Sequence, residues 1–162
     1  MKTYKIRLWI MLLIMLSCFS VQAQKKDKQV AVKNMIDKRN YNFIAQTAIP
    51  TSGRTWNLTT EYTLTVTKDS IMCYLPYFGR AYVAPMDPTK GGIEFKSKKF
   101  DYKSVKGRKG GWDITITPND TEDVRQLQLS ISDDGYASLN VNSNNRQAIS
   151  FNGYIEENTP KK

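Results

Sequence analysis

From position 41 onward, apolar and polar residues alternate with a period of two. Trp112, Ile114 and Ile116, then Leu127, Leu129 and Ile131, then Ala137, Leu139 and Val141, and finally Ile149, Phe151, Gly153 and Ile155 occupy every second position. Successive side chains of a strand point to opposite faces, so each of these segments has one apolar face and one polar face. Tyr62-Thr63-Leu64-Thr65-Val66 alternates in the same way, Lys68-Asp69-Ser70 supplies a turn, and Ile71-Met72-Cys73-Tyr74-Leu75 answers as a return strand. Further strands are predicted over 42–48, 92–97, 100–105, 112–117, 126–132, 136–141 and 148–155, separated by Gly, Pro, Asn and Asp clusters. A meander of about eight to ten short strands without crossover helices closes most naturally into an up-and-down barrel, which removes exposed edges. The fold expected is therefore mainly β and antiparallel, with Trp112, Ile114, Leu129, Leu139 and Phe151 in the core.

Before position 41 the period changes. Ala31, Val32, Met35 and Ile36 form one apolar stripe among Lys and Asp, which predicts an amphipathic α-helix over 25–39, packed by one face onto the domain. Residues 1–23 have the form of a secretory signal: Lys2, Lys5 and Arg7 precede an apolar core over 8–16, and Val21-Gln22-Ala23 offers small side chains at a cleavage site before Gln24. The apolar core falls short of the roughly 20 residues a spanning helix needs, so no transmembrane helix is expected. Cys18 offers a second cut, at which a lipidated cysteine would become the first residue of an outer-membrane lipoprotein, although Met15-Leu16-Ser17 fits that signal only loosely. The expected organisation is a signal peptide over 1–23, an N-terminal helix over 24–40, the barrel over 41–155 and a frayed polar tail over 156–162. The expected location is outside the cytoplasm, in the periplasm or cell envelope.

Composition narrows the chemistry. The chain carries a formal net charge of +9, of which Lys2, Lys5 and Arg7 leave with the signal. An exported basic protein rarely meets nucleic acid, so the charge points instead toward anionic lipid, glycan or an acidic protein surface. Histidine is absent, which removes the usual general base of hydrolases and the commonest metal ligand. No catalytic constellation or cofactor motif is present, so neither enzymatic activity nor a cofactor is expected. Once Cys18 has gone, Cys73 is the only thiol, so no intramolecular disulfide is expected; its apolar neighbours suit a buried, inert side chain.

The most unusual segment is Leu75-Pro76-Tyr77-Phe78-Gly79-Arg80-Ala81-Tyr82. Pro76 cannot donate to a ladder, and Gly79 permits a sharp turn just after two large rings. Tyr74, Tyr77, Phe78 and Tyr82 around Arg80 form a candidate pocket with apolar walls and one cationic anchor, suited to an acidic amphipathic ligand. The competing reading makes the rings a plug at one barrel end, with Arg80 bonding backbone carbonyls. A second cluster, Lys96, Lys98, Lys99, Lys103, Lys106, Arg108 and Lys109, forms a candidate anionic-surface patch if its members share one side; otherwise it is a solvated hairpin protected against edge pairing. The oxygen-rich turn over 119–123 lacks the ligand spacing and central glycine of a calcium loop.

The segment Leu75-Pro76-Tyr77-Phe78-Gly79-Arg80-Ala81-Tyr82, the later Gly92-Ile93-Glu94-Phe95, and the closing Asn145-Arg146-Gln147-Ala148-Ile149-Ser150-Phe151-Asn152-Gly153 resemble, in this order, the pattern of the domain of unknown function 4251 family, small exported bacterial proteins. The resemblance implies a barrel related in shape to the lipocalin-like folds and an envelope location, and it brings no catalytic residues. Three functions remain in play. The leading one is a non-enzymatic binder of an acidic amphipathic small molecule at the barrel mouth. The second is an envelope protein-interaction module using the basic hairpin or the helix. The least favoured is an unrecognised hydrolase.

Overall fold

The computed structural model describes residues 26–82, 91–108 and 110–159, so the signal expected over 1–23, with Cys18, lies outside the described residues. Among the described residues nine strands follow one helix: β1 Tyr41–Pro50, β2 Trp56–Val66, β3 Ile71–Leu75, β4 Ile93–Ser97, β5 Phe100–Lys106, β6 Trp112–Pro118, β7 Val124–Ile131, β8 Tyr136–Ser143 and β9 Ile149–Glu157. They form a single antiparallel sheet in the order β4-β3-β2-β1-β9-β8-β7-β6-β5, which curls into a nearly closed barrel. Every hairpin neighbour in sequence is a neighbour in space, and the first strand pairs with the last from Tyr41↔Glu157 to Pro50↔Ile149. The expectation of an up-and-down, lipocalin-like meander is met. β2 begins well before Tyr62, and its first half, from Trp56, is exposed apart from the half-buried Leu58, which is too weak an alternation to reveal it.

The two edge strands explain how the barrel closes. Antiparallel pairing passed around the sheet from β4 to β5 leaves these two strands pointing the same way, yet only Lys98 and Lys99 separate them. A two-residue link between strands of like direction cannot be a hairpin, which would reverse the chain. β4 and β5 are therefore the two halves of one bent strand. The first half pairs with β3 and the second with β6, so the nine strands amount to eight runs of chain around the barrel. The bend would leave amides without ladder partners, and Asp120 supplies them. Its carboxylate accepts from the Lys98 and Lys99 amides at 2.9 and 3.1 Å, while the Asn119 amide donates to the Lys99 carbonyl at 2.7 Å. The Ser97 hydroxyl lies beside both this carboxylate and the Lys99 carbonyl, and together with the two amides it holds the Asp120 carboxyl below its ordinary range.

The inward faces fill the barrel. Tyr41, Phe43, Leu64, Ile93, Ile116 and Phe151 are among the fully buried side chains, and Ile114, Leu129 and Leu139 join them. Trp112 is only half-buried, because it opens β6 opposite Lys106 at the exposed end of β5. Cys73 is a buried free thiol, which burial pushes well above the ordinary thiol range and so keeps unreactive.

Residues 26–38 form the helix, α1. Val32 and Ile36 are buried in the core and Met35 packs against it, whereas Ala31 stays exposed, so the inward stripe is narrower than the one read from sequence. The helix covers the barrel end at which β1 starts and β9 finishes. There the Arg39 guanidinium lies 4.5 Å over the Tyr102 ring, the Tyr102 and Tyr41 hydroxyls meet at 3.3 Å, and the Asn40 amide donates to the Asn158 carbonyl. Burial raises both phenols above their ordinary value, Tyr41 the more strongly. No helix among the described residues is long and apolar enough to cross a membrane.

Candidate functional site

At the opposite end of the barrel, the chain leaves β3 at Pro76 and turns through the aromatic segment. Tyr77 lies back over Gly79, where any Cβ would overlap its ring and hydroxyl, so glycine is what lets the ring pack on the backbone. The Tyr77 hydroxyl is within hydrogen-bonding distance of the Arg80 and Gln147 carbonyls, at 2.9 and 3.1 Å, and burial raises its pKa above the usual phenol value. The Tyr82 amide donates to the Asn145 carbonyl and the Gln147 amide to the Arg80 carbonyl, which makes a short bridge between this segment and the β8–β9 turn.

Arg146 binds the corner together. Its guanidinium donates to the Gly92 carbonyl at 2.8 Å, pairs with Asp123 at 3.2 Å and faces the Tyr77 ring at 5.2 Å, with its side chain only 11% exposed. The three separated stretches 75–82, 92–95 and 145–153 thus meet in space, and Arg146 touches or bonds to all of them. The carbonyl-bonding role that sequence reasoning offers to Arg80 belongs to Arg146. Its signal is an arginine in a turn at the mouth of a strand, which from sequence alone looks like any solvated turn residue.

Arg80 itself is exposed, and among the described residues its guanidinium has no partner. Phe78 stacks on Trp56 with ring centroids 5.1 Å apart, and the Arg54 guanidinium lies 4.1 Å over the other partner of that stack, Trp56. Tyr82 is 65% exposed and close enough to Tyr77 to act on its hydroxyl electrostatically. Tyr74 is not part of this corner: it faces outward from β3 and stacks on Tyr62 at 5.4 Å. The arrangement therefore consists of an inner clasp, Tyr77 with Arg146 and Asp123, and an outer cluster built on the stack of Trp56 and Phe78 with Arg54, to which the same segment adds the exposed Arg80 and Tyr82. Trp56 and Arg54 escape a reading of the sequence because nothing in their neighbourhood marks the first half of β2 as a strand.

The lysine cluster does not share one face. Lys96 and Lys103 point outward, whereas Lys106 stands on the same side of its strand as Tyr102, opposite Trp112. Lys98 and Lys99 occupy the bend, Arg108 sits in the β5–β6 turn, and Lys109 lies outside the described residues. In the turn 119–123, Asp120 and Asp123 are already engaged by backbone amides and by Arg146. Among the described residues no group of three His, Cys, Asp or Glu side chains is placed to hold a metal ion.

Fold and corner together define an up-and-down β-barrel capped by a helix and clasped at the other end by a largely buried arginine side chain. The family model for a domain of unknown function, DUF4251, matches residues 23–155. The chain belongs to that family. Among solved structures it is similar to the crystal structure of a DUF4251 family protein from Bacteroides eggerthii DSM 20697, with a TM-score of 0.62 and 16% identity over 84% of this chain and 91% of that one. No curated protein matches.

Proposed function

We propose that this protein is an exported, non-enzymatic binding module of the cell envelope that takes an acidic amphipathic small molecule on the outer cluster at the corner. The observation that carries this reading is the Phe78–Trp56 stack with, two residues along the chain from Phe78, the exposed Arg80, whose guanidinium has no partner among the described residues. Rings accept an apolar body, and a free guanidinium accepts a carboxylate or phosphate through paired, charge-assisted hydrogen bonds. Arg54 adds a second cation above Trp56. Export rests on the basic start, apolar core and small-residue cleavage site of residues 1–23, with lipidation at Cys18 as the alternative anchor. The interaction-module alternative draws less support, because Val32 and Ile36 of the helix are buried and strand alternation divides the lysines between faces.

The test is a titration of dodecanoate and hexadecanoate into the wild type and Arg80→Ala, followed by tryptophan fluorescence. The wild type should bind, and the variant should bind about tenfold more weakly, since a hydrogen bond to a charged group contributes roughly 1.5–3 kcal/mol. The melting temperature should not change, because the Arg80 side chain has no partner among the described residues. A wild type that binds neither fatty acid, or a variant that binds equally well, would remove Arg80 as the anchor and the reading with it.

A further inference from the structure

The outer face of the barrel carries a second site. Cross-strand registers place Asp113, Ser130, Ser138 and Asn152 side by side on β6, β7, β8 and β9, all of them exposed. On β1 the pairing skips from Ala45 to Thr47, so Gln46 is the extra residue of a bulge and points out at the end of this row. The row spans five strands, about 19 Å at the usual strand separation. It lines an open groove of about 770 Å³ that is floored by the strands at Ile131, Ala137 and Gly153 and walled at one end by Arg108. A second concavity of about 470 Å³, between the helix and β9, continues it and shares Gln46 and Tyr136 with it. Tyr136, 68% exposed, therefore stands between two hollows.

We propose that this groove binds a neutral glycan chain, with Tyr136 as the platform for one sugar ring and Asp113, Asn152 and Gln46 reading hydroxyl groups. The chemistry of the row selects this occupant. Carboxylate, amide and hydroxyl groups provide acceptors and donors in alternation, which is what a polyol needs, since each of its hydroxyls both donates and accepts. The Ser130 hydroxyl donates to Asp113 at 2.8 Å and fixes the carboxylate, leaving its second oxygen to accept from a ligand. Charge is sparse on this face for a strongly basic chain: Arg108 and Asp113, one of each sign, are the charged residues lining the groove, and the next row, Thr115, Gln128, Asn140 and Ser150, is uncharged from β6 to β9 and meets a charge only at Lys103 on β5. A polyanion would require a cationic row and a lipid an apolar one, and the groove offers neither. An aromatic ring open on its sides accepts the C–H face of a pyranose as it accepts other apolar surface.

The experiment uses maltohexaose, cellohexaose and mannohexaose as neutral probes and an oligogalacturonate hexamer as the charged comparator, measured by calorimetric titration with the purified protein. At least one neutral hexasaccharide should bind and the oligogalacturonate should bind more weakly. Tyr136→Ala should weaken binding about tenfold or more at an unchanged melting temperature, while Tyr136→Phe, which keeps the ring, should bind as the wild type does. Asn152→Ala, on an exposed side chain, should weaken binding independently. Arg80→Ala should leave glycan binding untouched, which keeps this site separate from the corner. Absence of binding by all three neutral probes, wild-type binding by both Tyr136→Ala and Asn152→Ala, or tighter binding of the oligogalacturonate would each overturn the proposal.

Discussion

Gly153→Ala is expected to destabilise this barrel by about 3 kcal/mol or more, although it adds a single methyl group. Gly153 sits in the ladder between the first and last strands, opposite Ala45 on one side and Ala137 on the other. A Cβ there would overlap the Ile44 carbonyl oxygen and press on the Ala45 Cα. Those atoms are backbone, so no side chain can swing aside. Relief requires β1 and β9 to separate locally, and that ladder is what joins the two halves of the sheet. Urea unfolding should show a markedly lower midpoint, or the variant should fail to accumulate as folded protein. A midpoint matching the wild type would mean that the bulge at Gln46 can absorb the methyl group and that β1 and β9 are not in close contact at this point.

Phe151→Ala should lower stability by about 3–5 kcal/mol. Phe151 is fully buried, and it lies between Leu139 of β8 and Ala48 of β1 in the cross-strand pairing. Its partners are held by ladders on both sides, so the surrounding strands have little freedom to collapse into the space left behind. The cost therefore includes the unfilled cavity as well as the lost transfer of the ring out of water. Because the change removes volume without adding a clash, the variant should still fold, with an unchanged slope of free energy against denaturant. An unaltered midpoint would show that the side chain of Phe151 does not lie on the inward face of β9.

How much of this architecture is legible in the sequence depends on whether a segment carries its own period. The strands from β6 to β9 each have one wet face and one dry face, and alternation alone is enough to name their inward residues. The first half of β2 escapes, because Leu58 alone is half-buried there and one residue sets no period. The bend at Lys98 and Lys99 is hidden for a different reason. Locally it looks like an ordinary turn, and only the direction of strands on the far side of the barrel shows that the chain carries on rather than reverses. The period of β6 puts Trp112 in the core, but its position at a strand end leaves it half-wet. The aromatic corner is legible as a segment, yet its division into clasp and exposed cluster is not. That division depends on Arg146, Asp123 and Trp56 arriving from distant positions. The groove on the outer face is equally hidden, since scattered Ser, Asn and Gln acquire meaning only when the register aligns them.

The pairing of β1 with β9 also governs when the fold can exist at all. Residues 41 and 157 must meet before the sheet has any continuous circuit, so the longest ladder in the molecule joins the most widely separated parts of the chain. Closing so large a loop carries an entropic cost before the contacts across it compensate, and such high contact order sets folding on the millisecond-to-second scale typical of β-barrels. An incomplete chain still emerging from a ribosome holds β1 without its closing partner. Until β9 has been made, that chain lacks the ladder that joins the two halves of the sheet and stays open to whatever machinery handles incompletely folded chains.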